Sequence, residues 1–233
     1  MKRFLLSALV ATLGMAGTAA AQNEADVWIL HGINGTDLQA TEDFPVDIQL
    51  NDAPLLAGVP FRARTDAYQL APGTYNIKIS AADPNNPYSQ PPVIDVDVTF
   101  AADENYTVIA HLAEDGAVTA SVFTHDLSFT MLGMSRAGVH HTAAAPAVDA
   151  FLNPEFPFVD QIAVPGVTNG LQAQADLFFG FWNIALNAAG AATNVFQSPN
   201  RFVGINQYFG VFFVGTLANG TFEALLYKYP IGG

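Results

Sequence analysis

The first half of the chain alternates between apolar and polar residues with a period of two. In segment 93–100, one set of alternate positions is entirely apolar, and the other carries Asp95, Asp97 and Thr99. Successive side chains of a β-strand point to opposite faces, so this pattern predicts a strand with one buried and one solvated face. The apolar set consists of Ile94, Val96, Val98 and Phe100.

Similar segments recur along the chain and are separated by turn residues. Tyr75, Ile77 and Ile79 alternate with polar residues directly after the turn signal Pro72-Gly73. A spacing of about eight to twelve residues between such segments is typical of a β-sandwich, and no later stretch has a long helical period. The fold class is therefore predicted to be all-β. The other predicted strands are 27–31, 46–50, 59–64, 106–112 and 118–123.

The same landmarks appear a second time, about one hundred residues later. Asp47 in its strand aligns with Asp149, and Gly73-Thr74-Tyr75 aligns with Gly180-Phe181-Trp182. A repeat of that length fits a whole sandwich domain rather than a solenoid unit. We therefore expect two tandem Ig-like antiparallel β-sandwich repeats, at residues 22–132 and 139–233, joined by a linker at 133–138.

The second repeat contains two segments, 177–182 and 208–213, that are apolar at consecutive positions. Such strands are buried on both faces, or they leave an apolar patch exposed for a partner. Burial against the first repeat is favoured because it needs no further molecule. A membrane-spanning helix over 202–222 is not favoured, since that uncharged stretch contains four glycines, two asparagines and a glutamine.

The start of the chain has the three-part pattern of a secretory signal peptide. Lys2 and Arg3 precede an apolar stretch, and the small residues Ala19 and Ala21 fit a peptidase cleavage site. We expect cleavage after Ala21 and export to the periplasm or the cell exterior. The chain contains no cysteine, which excludes disulfides, thiolate chemistry and a lipid-modified cysteine.

The charge of the chain is strongly negative and unevenly distributed. The formal net charge is −13, which becomes −15 when Lys2 and Arg3 are removed with the signal peptide. Nucleic acid is therefore excluded as a partner, because phosphate binding needs clustered basic residues. Residues 22–136 carry 16 acids and 4 bases, whereas residues 137–233 carry only 5 acids and 2 bases.

No pattern in the sequence predicts a catalytic residue, a cofactor or a metal. Gly133-Met134-Ser135-Arg136-Ala137 resembles a nucleophile elbow, but that motif needs a strand-to-helix turn of an α/β sheet. The five histidines lack metal-binding spacing; they are His31, His111, His125, His140 and His141. Calcium between loops near Asp83 is an alternative, although an EF-hand pattern is absent.

Four residues occupy equivalent positions in the two repeats and are candidates for a shared role. His31 and His141 each end the first strand, where the imidazole is predicted to bond to the backbone of the following loop. Asp47 and Asp149 each lie one residue into the next strand, and a turn-capping carboxylate is the favoured interpretation.

Together these landmarks resemble a bacterial secreted family known only as domain of unknown function 4397. The first repeat contributes the strand ending in His31, Pro45-Val46-Asp47, Ala71-Pro72-Gly73-Thr74-Tyr75 and Tyr106-Thr107-Val108. The second contributes His141 and Ala145-Pro146-Ala147-Val148-Asp149, with Phe179-Gly180-Phe181-Trp182 replacing the usual turn. The resemblance implies an extracytoplasmic β-sandwich and supplies no activity.

The leading hypothesis is a non-enzymatic binding or structural module of the periplasm or cell exterior that contacts a cell-surface protein. One alternative is a carbohydrate-binding module, for which an exposed platform would use Trp28, Trp182 and Tyr208. The other is a hydrolase with two facing carboxylates. Its candidates in the second repeat are Asp149, Glu155, Asp160, Asp176 and Glu223.

Overall fold

The computed structural model describes residues 23–232, and the predicted signal peptide lies outside them. Within this range, the chain forms seventeen β-strands and one turn of 3-10 helix over Gly35–Leu38. The prediction of an all-β fold is therefore confirmed. None of the helical structure in residues 23–232 is long and apolar enough to cross a membrane.

The first eight strands build one sandwich of two four-stranded sheets, with the orders β4-β1-β7-β8 and β3-β2-β5-β6. Alternate apolar positions of the two sheets face each other and form a closed core around Ile29, Ile48, Ile77 and Val108. The strands are β1 (Ala25–His31), β2 (Val46–Leu50), β3 (Ala53–Val59), β4 (Tyr68–Leu70), β5 (Gly73–Ala81), β6 (Pro92–Phe100), β7 (Asn105–Leu112) and β8 (Val118–Thr124).

The other nine strands build a second sandwich with the same strand order. Its sheets run β12-β9-β16-β17 and β11-β10-β13-β14, and β15 also pairs with β13. The strands are β9 (Met134–His141), β10 (Val148–Pro154), β11 (Ile162–Val167), β12 (Gln172–Phe178), β13 (Gly180–Ala188), β14 (Asn194–Gln197), β15 (Arg201–Val203), β16 (Tyr208–Val214) and β17 (Glu223–Tyr229).

The pairing within the sandwiches is not wholly antiparallel. The first strand of each sandwich pairs in parallel with a later strand of its own sheet: β1 pairs with β7, and β9 pairs with β16. Long connections through the other sheet bring both strands in from the same end, which a parallel pair requires. The remaining strand pairs are antiparallel.

Two local predictions differ from the structure. The predicted strand 59–64 is a loop, because Pro60 cannot donate to a ladder and Arg62 has a left-handed φ of 68°. The strand beside β2 is instead the preceding segment, β3. The residues predicted as a linker, 133–138, form the first half of β9 apart from Gly133. Gly138 is needed there for packing, since a Cβ would lie 2.1 Å from the Tyr208 hydroxyl oxygen.

The two sandwiches pack against each other through the sheets that contain β1, β7, β9 and β16. Alternate side chains of these strands point to opposite faces of their sheet. One set packs in the core of its own sandwich, and the other set packs in an interface that the two sandwiches share. Tyr208, Phe212 and Val214 lie there against Trp28 and Leu30. The predicted burial of segment 208–213 between the repeats is therefore confirmed. The same prediction for segment 177–182 is wrong, because Phe178, Phe179 and Phe181 are about half exposed.

Candidate functional site

His31 and His141 are buried at equivalent positions and make equivalent bonds. His31 Nε2 donates to the Phe44 carbonyl at 2.9 Å, and His141 Nε2 donates to the Pro146 carbonyl at 3.0 Å. Each bond ties the end of a first strand to the loop before the second, as the sequence predicts. Burial lowers the pKa of both imidazoles, so both are neutral near pH 7.

Asp47 and Asp149 each bind backbone amides of two different loops. The Asp47 carboxylate accepts bonds of 2.8 Å from the amides of Gly58 and Tyr88. Asp149 accepts bonds of 2.7 Å and 2.8 Å from the amides of Gly166 and Gly190. These carboxylates therefore cap turns, and the four repeat-equivalent residues serve their own sandwiches rather than meeting in one site.

The serine of the elbow-like motif is used for structure. Ser135 is buried in β9, where its Oγ donates to the Gly204 carbonyl at 3.0 Å and accepts from the Gln207 amide at 2.9 Å. A nucleophilic serine needs a base beside an exposed hydroxyl. This hydroxyl instead fixes the loop between β15 and β16.

The carboxylates that were considered for catalysis or calcium are mostly engaged with protein groups. Asn76 Nδ2 donates to both Asp95 and Asp97, at 2.8 Å and 2.9 Å, so these two carboxylates share one amide partner. Asp176 pairs with Arg136, and Glu223 pairs with Arg62 of the first sandwich. Within residues 23–232, no group of three or more His, Asp or Glu side chains is placed to hold a metal.

The interface between the sandwiches contains a buried polar network. His125 bonds to the Tyr208 hydroxyl at 3.0 Å and to Thr107 Oγ1 at 2.8 Å, and Thr107 bonds to the Tyr229 hydroxyl at 2.8 Å. His140 lies 5.4 Å from the His125 ring and donates to the Val211 carbonyl. Burial lowers the pKa of His140 to about 4 and that of His125 well below its ordinary value.

The three aromatic residues considered for sugar binding do not form an exposed platform. Trp28 and Tyr208 are buried in the interface, and Trp182 is buried in the second core. The Trp182 indole N–H donates to the Phe178 carbonyl at 2.9 Å. Trp28 and Trp182 are the two tryptophans of the chain, and aromatic side chains contribute much of the apolar area that a core buries.

The most distinctive feature of the second sandwich is a cavity of about 400 Å³ between its two sheets. Its walls are mostly apolar, and it reaches the surface beside Phe202 and Leu226, which are both exposed. A volume of this size is within the usual range for small-molecule sites. The inner wall includes Trp182, Ile184, Phe196, Val203, Phe209 and Val211.

The corresponding space in the first sandwich is almost filled, with a residual cavity of about 10 Å³. Strand registers give the equivalent positions: Ala137 and Phe209 pair as Val27 and Tyr106 do, and Gly180 and Val203 pair as Gly73 and Phe100 do. Smaller residues therefore replace larger ones at the cavity wall. The replacements are Ala137 for Val27 and Val203 for Phe100.

The edge of the second sandwich is also opened by the backbone. The nine-residue strand β6 corresponds to the two short strands β14 and β15, which both pair with β13. Ser198, Pro199 and Asn200 interrupt the edge between them, and proline cannot continue a ladder. This gap borders the cavity through Ser198, Pro199 and Arg201.

Two basic side chains lie at the cavity. Arg201 comes from β15 and Lys228 from β17, and both are exposed. The Lys228 ammonium lies 5.2 Å from the centre of the Phe209 ring, which forms part of the cavity wall. Sequence reasoning missed this site, although the scarcity of bases after residue 136 and the degenerate second repeat were its signals.

The chain matches one family model and is distantly similar to several solved structures. The family model described as Domain of unknown function (DUF4397) matches residues 25–151, which is more than half of the chain. That match covers the first sandwich, β9 and the first part of β10. No curated protein matches the sequence.

The carbohydrate-binding module CBMbc (family CBM26) from Eubacterium rectale Amy13K, solved with maltoheptaose, is 12% identical over 89% of this chain and 98% of its own, with a TM-score of 0.26. A DUF3823 family protein from Bacteroides ovatus is 9% identical over 78% of this chain and 99% of its own, with a TM-score of 0.22. These scores are too low for either structure to support a function for this chain.

Proposed function

The chain belongs to the family described as a domain of unknown function, DUF4397, and from this premise we propose that it is an exported, non-enzymatic protein that binds a small apolar ligand in its second sandwich. The observation that carries the proposal is the cavity of about 400 Å³, at a position where the first sandwich leaves about 10 Å³. Protein cores are normally packed with few voids larger than a water molecule. A cavity lined by two smaller replacements, Ala137 and Val203, and bordered by an interrupted edge is therefore best explained by an occupant.

The chemistry of the cavity wall supports binding rather than catalysis. The one hydroxyl group among the lining residues is that of Ser198, which accepts a 2.9 Å bond from the Ile184 amide and donates to the Pro199 carbonyl. No histidine or carboxylate lines the cavity in residues 23–232. General acid–base catalysis most often uses one of these groups; Lys228 is the one other lining side chain of a type that can serve, and it is exposed to water.

Export is part of the proposal and is supported by the pattern of residues 1–21. The mature protein would act in the periplasm or outside the cell. Its acidic surface and its lack of cysteine suit a soluble carrier in either place. Fractionation of cells that produce the full chain tests this part, and retention of the uncleaved chain in the cytoplasm would contradict it.

The binding proposal is tested with a neutral apolar dye, N-phenyl-1-naphthylamine, whose fluorescence rises in apolar sites. The mature chain from Gln22 should enhance its fluorescence with saturation at about one dye per chain. Val203→Phe should weaken dye binding at least tenfold, because it places in the cavity the ring that Phe100 places in the first sandwich. Val93→Phe is the matched control, since Val93 is half exposed on the outer face of β6.

The outcomes separate the steps of the argument. If the native protein does not enhance the fluorescence, the cavity is not a ligand site and the proposal fails. Dye binding that survives Val203→Phe unchanged would place the ligand elsewhere. Circular dichroism of both variants should show native strand content, which excludes unfolding as the cause of lost binding.

A second candidate function, contact with a cell-surface protein, is favoured by one observation. Four phenylalanines at one end of the second sandwich are about half exposed: Phe178, Phe179, Phe181 and Phe202. Apolar patches of this kind mark interaction sites. Crosslinking in cells should capture one stoichiometric protein, and Phe179→Ser should abolish the capture while leaving dye binding intact. Failure to capture any protein would remove this candidate.

A further inference from the structure

The two bases beside the cavity identify a class of ligand. We propose, building on the function proposed above, that the cavity takes a long-chain carboxylate, with its hydrocarbon chain between the sheets and its anionic head at Arg201 and Lys228. Three independent observations carry this inference: the charges, their position relative to the first sandwich, and the polarity of the walls.

The charges are unusual for this protein. Arg201 and Lys228 are the only basic residues after residue 136, in a chain with a net charge of −13. Elsewhere Arg62, Lys78 and Arg136 each form an ion pair with a carboxylate, and Arg64 donates to the Lys228 carbonyl and lies over the Tyr229 ring. Across residues 23–232, no carboxylate lies within 4.0 Å of the basic nitrogens of Arg201 or Lys228. Both cations of the second half therefore remain available, and both line the same cavity.

The first sandwich has no charge at these positions. Arg201 pairs with Trp182 as Val98 pairs with Tyr75, and Lys228 pairs with Phe209 as Thr124 pairs with Tyr106. The cations therefore occur where the cavity occurs and are missing where the core is filled. Cation and cavity belong to one arrangement, which a ligand with one anionic and one apolar part matches.

The walls exclude polar ligands of similar size. The Ser198 hydroxyl is already bonded, and the Trp182 indole N–H is engaged by the Phe178 carbonyl. A sugar buried here would leave hydroxyl groups without hydrogen-bond partners, which opposes its binding. A hydrocarbon chain has no such groups, and 400 Å³ accommodates on the order of a dozen methylene-sized units.

The head group is best matched by a carboxylate. The planar guanidinium of Arg201 can donate two parallel bonds to its two oxygens, and Lys228 can add a third from its flexible chain. Because both bases are exposed, the head remains in partial contact with water and contributes specificity more than affinity.

The test compares two ligands that differ only in the head, dodecanoate and dodecan-1-ol, as competitors of N-phenyl-1-naphthylamine on the mature chain at pH 7.5. Dodecanoate should displace the dye at a concentration about fivefold lower than the alcohol does. Arg201→Gln combined with Lys228→Gln should remove this difference without changing displacement by the alcohol. Lys78→Gln is the matched control, since it removes one charge from the first sandwich and should leave the difference unchanged.

The outcomes distinguish this inference from the function on which it rests. The carboxylate assignment is overturned if the acid and the alcohol displace the dye equally, or if the preference for the acid survives in the double variant. In either case, binding of the dye still supports the apolar site. If the dye itself does not bind, the proposed function fails first. A preference that disappears at 1 M salt in the native protein supports a charged contact, because exposed charges are screened there.

Discussion

The two sandwiches have the same strand order and the same side-chain bonds to loop backbone groups, here called clamps, but their interiors differ. His31 and His141, and likewise Asp47 and Asp149, bond to equivalent loops in the two halves. The space between the sheets is about 10 Å³ in the first sandwich and about 400 Å³ in the second. The comparison teaches that in this chain the topology depends on strand pairing and loop clamps, which leaves the core free to change.

The largest expected effect concerns the interface that joins the two sandwiches. Burial lowers the pKa of His111 and His140 to about 4, from an ordinary value of 6.5. Between these values the unfolded chain binds more protons than the folded one. Well above pH 6.5, protonation of these histidines therefore does not lower the free energy of unfolding. Between pH 6.5 and 4 the free energy of unfolding falls by about 1.4 kcal/mol per pH unit for each histidine.

This dependence can be measured by urea unfolding at pH 7.5, 6.5, 5.5 and 5. His140→Gln keeps a donor for the Val211 carbonyl but cannot titrate, so its stability should fall less steeply with acid. The titratable and charged groups nearest His140 and its neighbour His125 are Tyr208, Tyr229 and Arg64. An identical slope in the variant would contradict the assignment. Loss of the interface at a pH where each core survives would allow the two sandwiches to be compared separately.

The next largest effect is the loss of stability when a core side chain is shortened, compared between the filled core of the first sandwich and the core of the second, which contains the cavity. Phe100→Ala should lower the free energy of unfolding by about 3–5 kcal/mol, because it leaves a void in a closed core. Val203→Ala, at the equivalent position, should cost about 1 kcal/mol, since its methyl groups border a cavity that already exists. Both values come from urea unfolding of the mature chain at pH 7.5. Equal costs would mean that the second core is closed in solution.

The sequence predicts the filled sandwich better than the open one, for a physical reason. Strand β6 alternates from Val93 to Phe100, because one of its faces is packed and the other is solvated. Segment 208–213 loses this alternation since its second face enters the interface, and the sequence carries that signal. The cavity leaves no such signal, because it depends on which residues face each other across the sheets. Only the strand registers reveal that Ala137 and Val203 replace Val27 and Phe100.

The smallest effect tests whether the shared clamps are equally important in the two halves. Asp47 is 1% exposed, whereas Asp149 is only partly buried. Asn at either position keeps one acceptor but turns an amide N–H towards the second backbone donor. Asp47→Asn should therefore cost about 2 kcal/mol, since hydrogen bonds to charged groups are worth about 1.5–3 kcal/mol and the side chain of Asp47 is shielded from water that could replace the lost bond.

Asp149→Asn should cost about 1 kcal/mol, because water can reach the amides of Gly166 and Gly190, which are exposed, and replace the lost bond. Urea unfolding gives both costs, and amide hydrogen exchange at Gly58 and Gly166 shows which loop is released. A larger cost at Asp149 would mean that the open sandwich depends more on its clamp than the filled one does. That result would follow if a core with a cavity contributes less stability, so that its strand pairing relies more on the loops that hold the sheet edges.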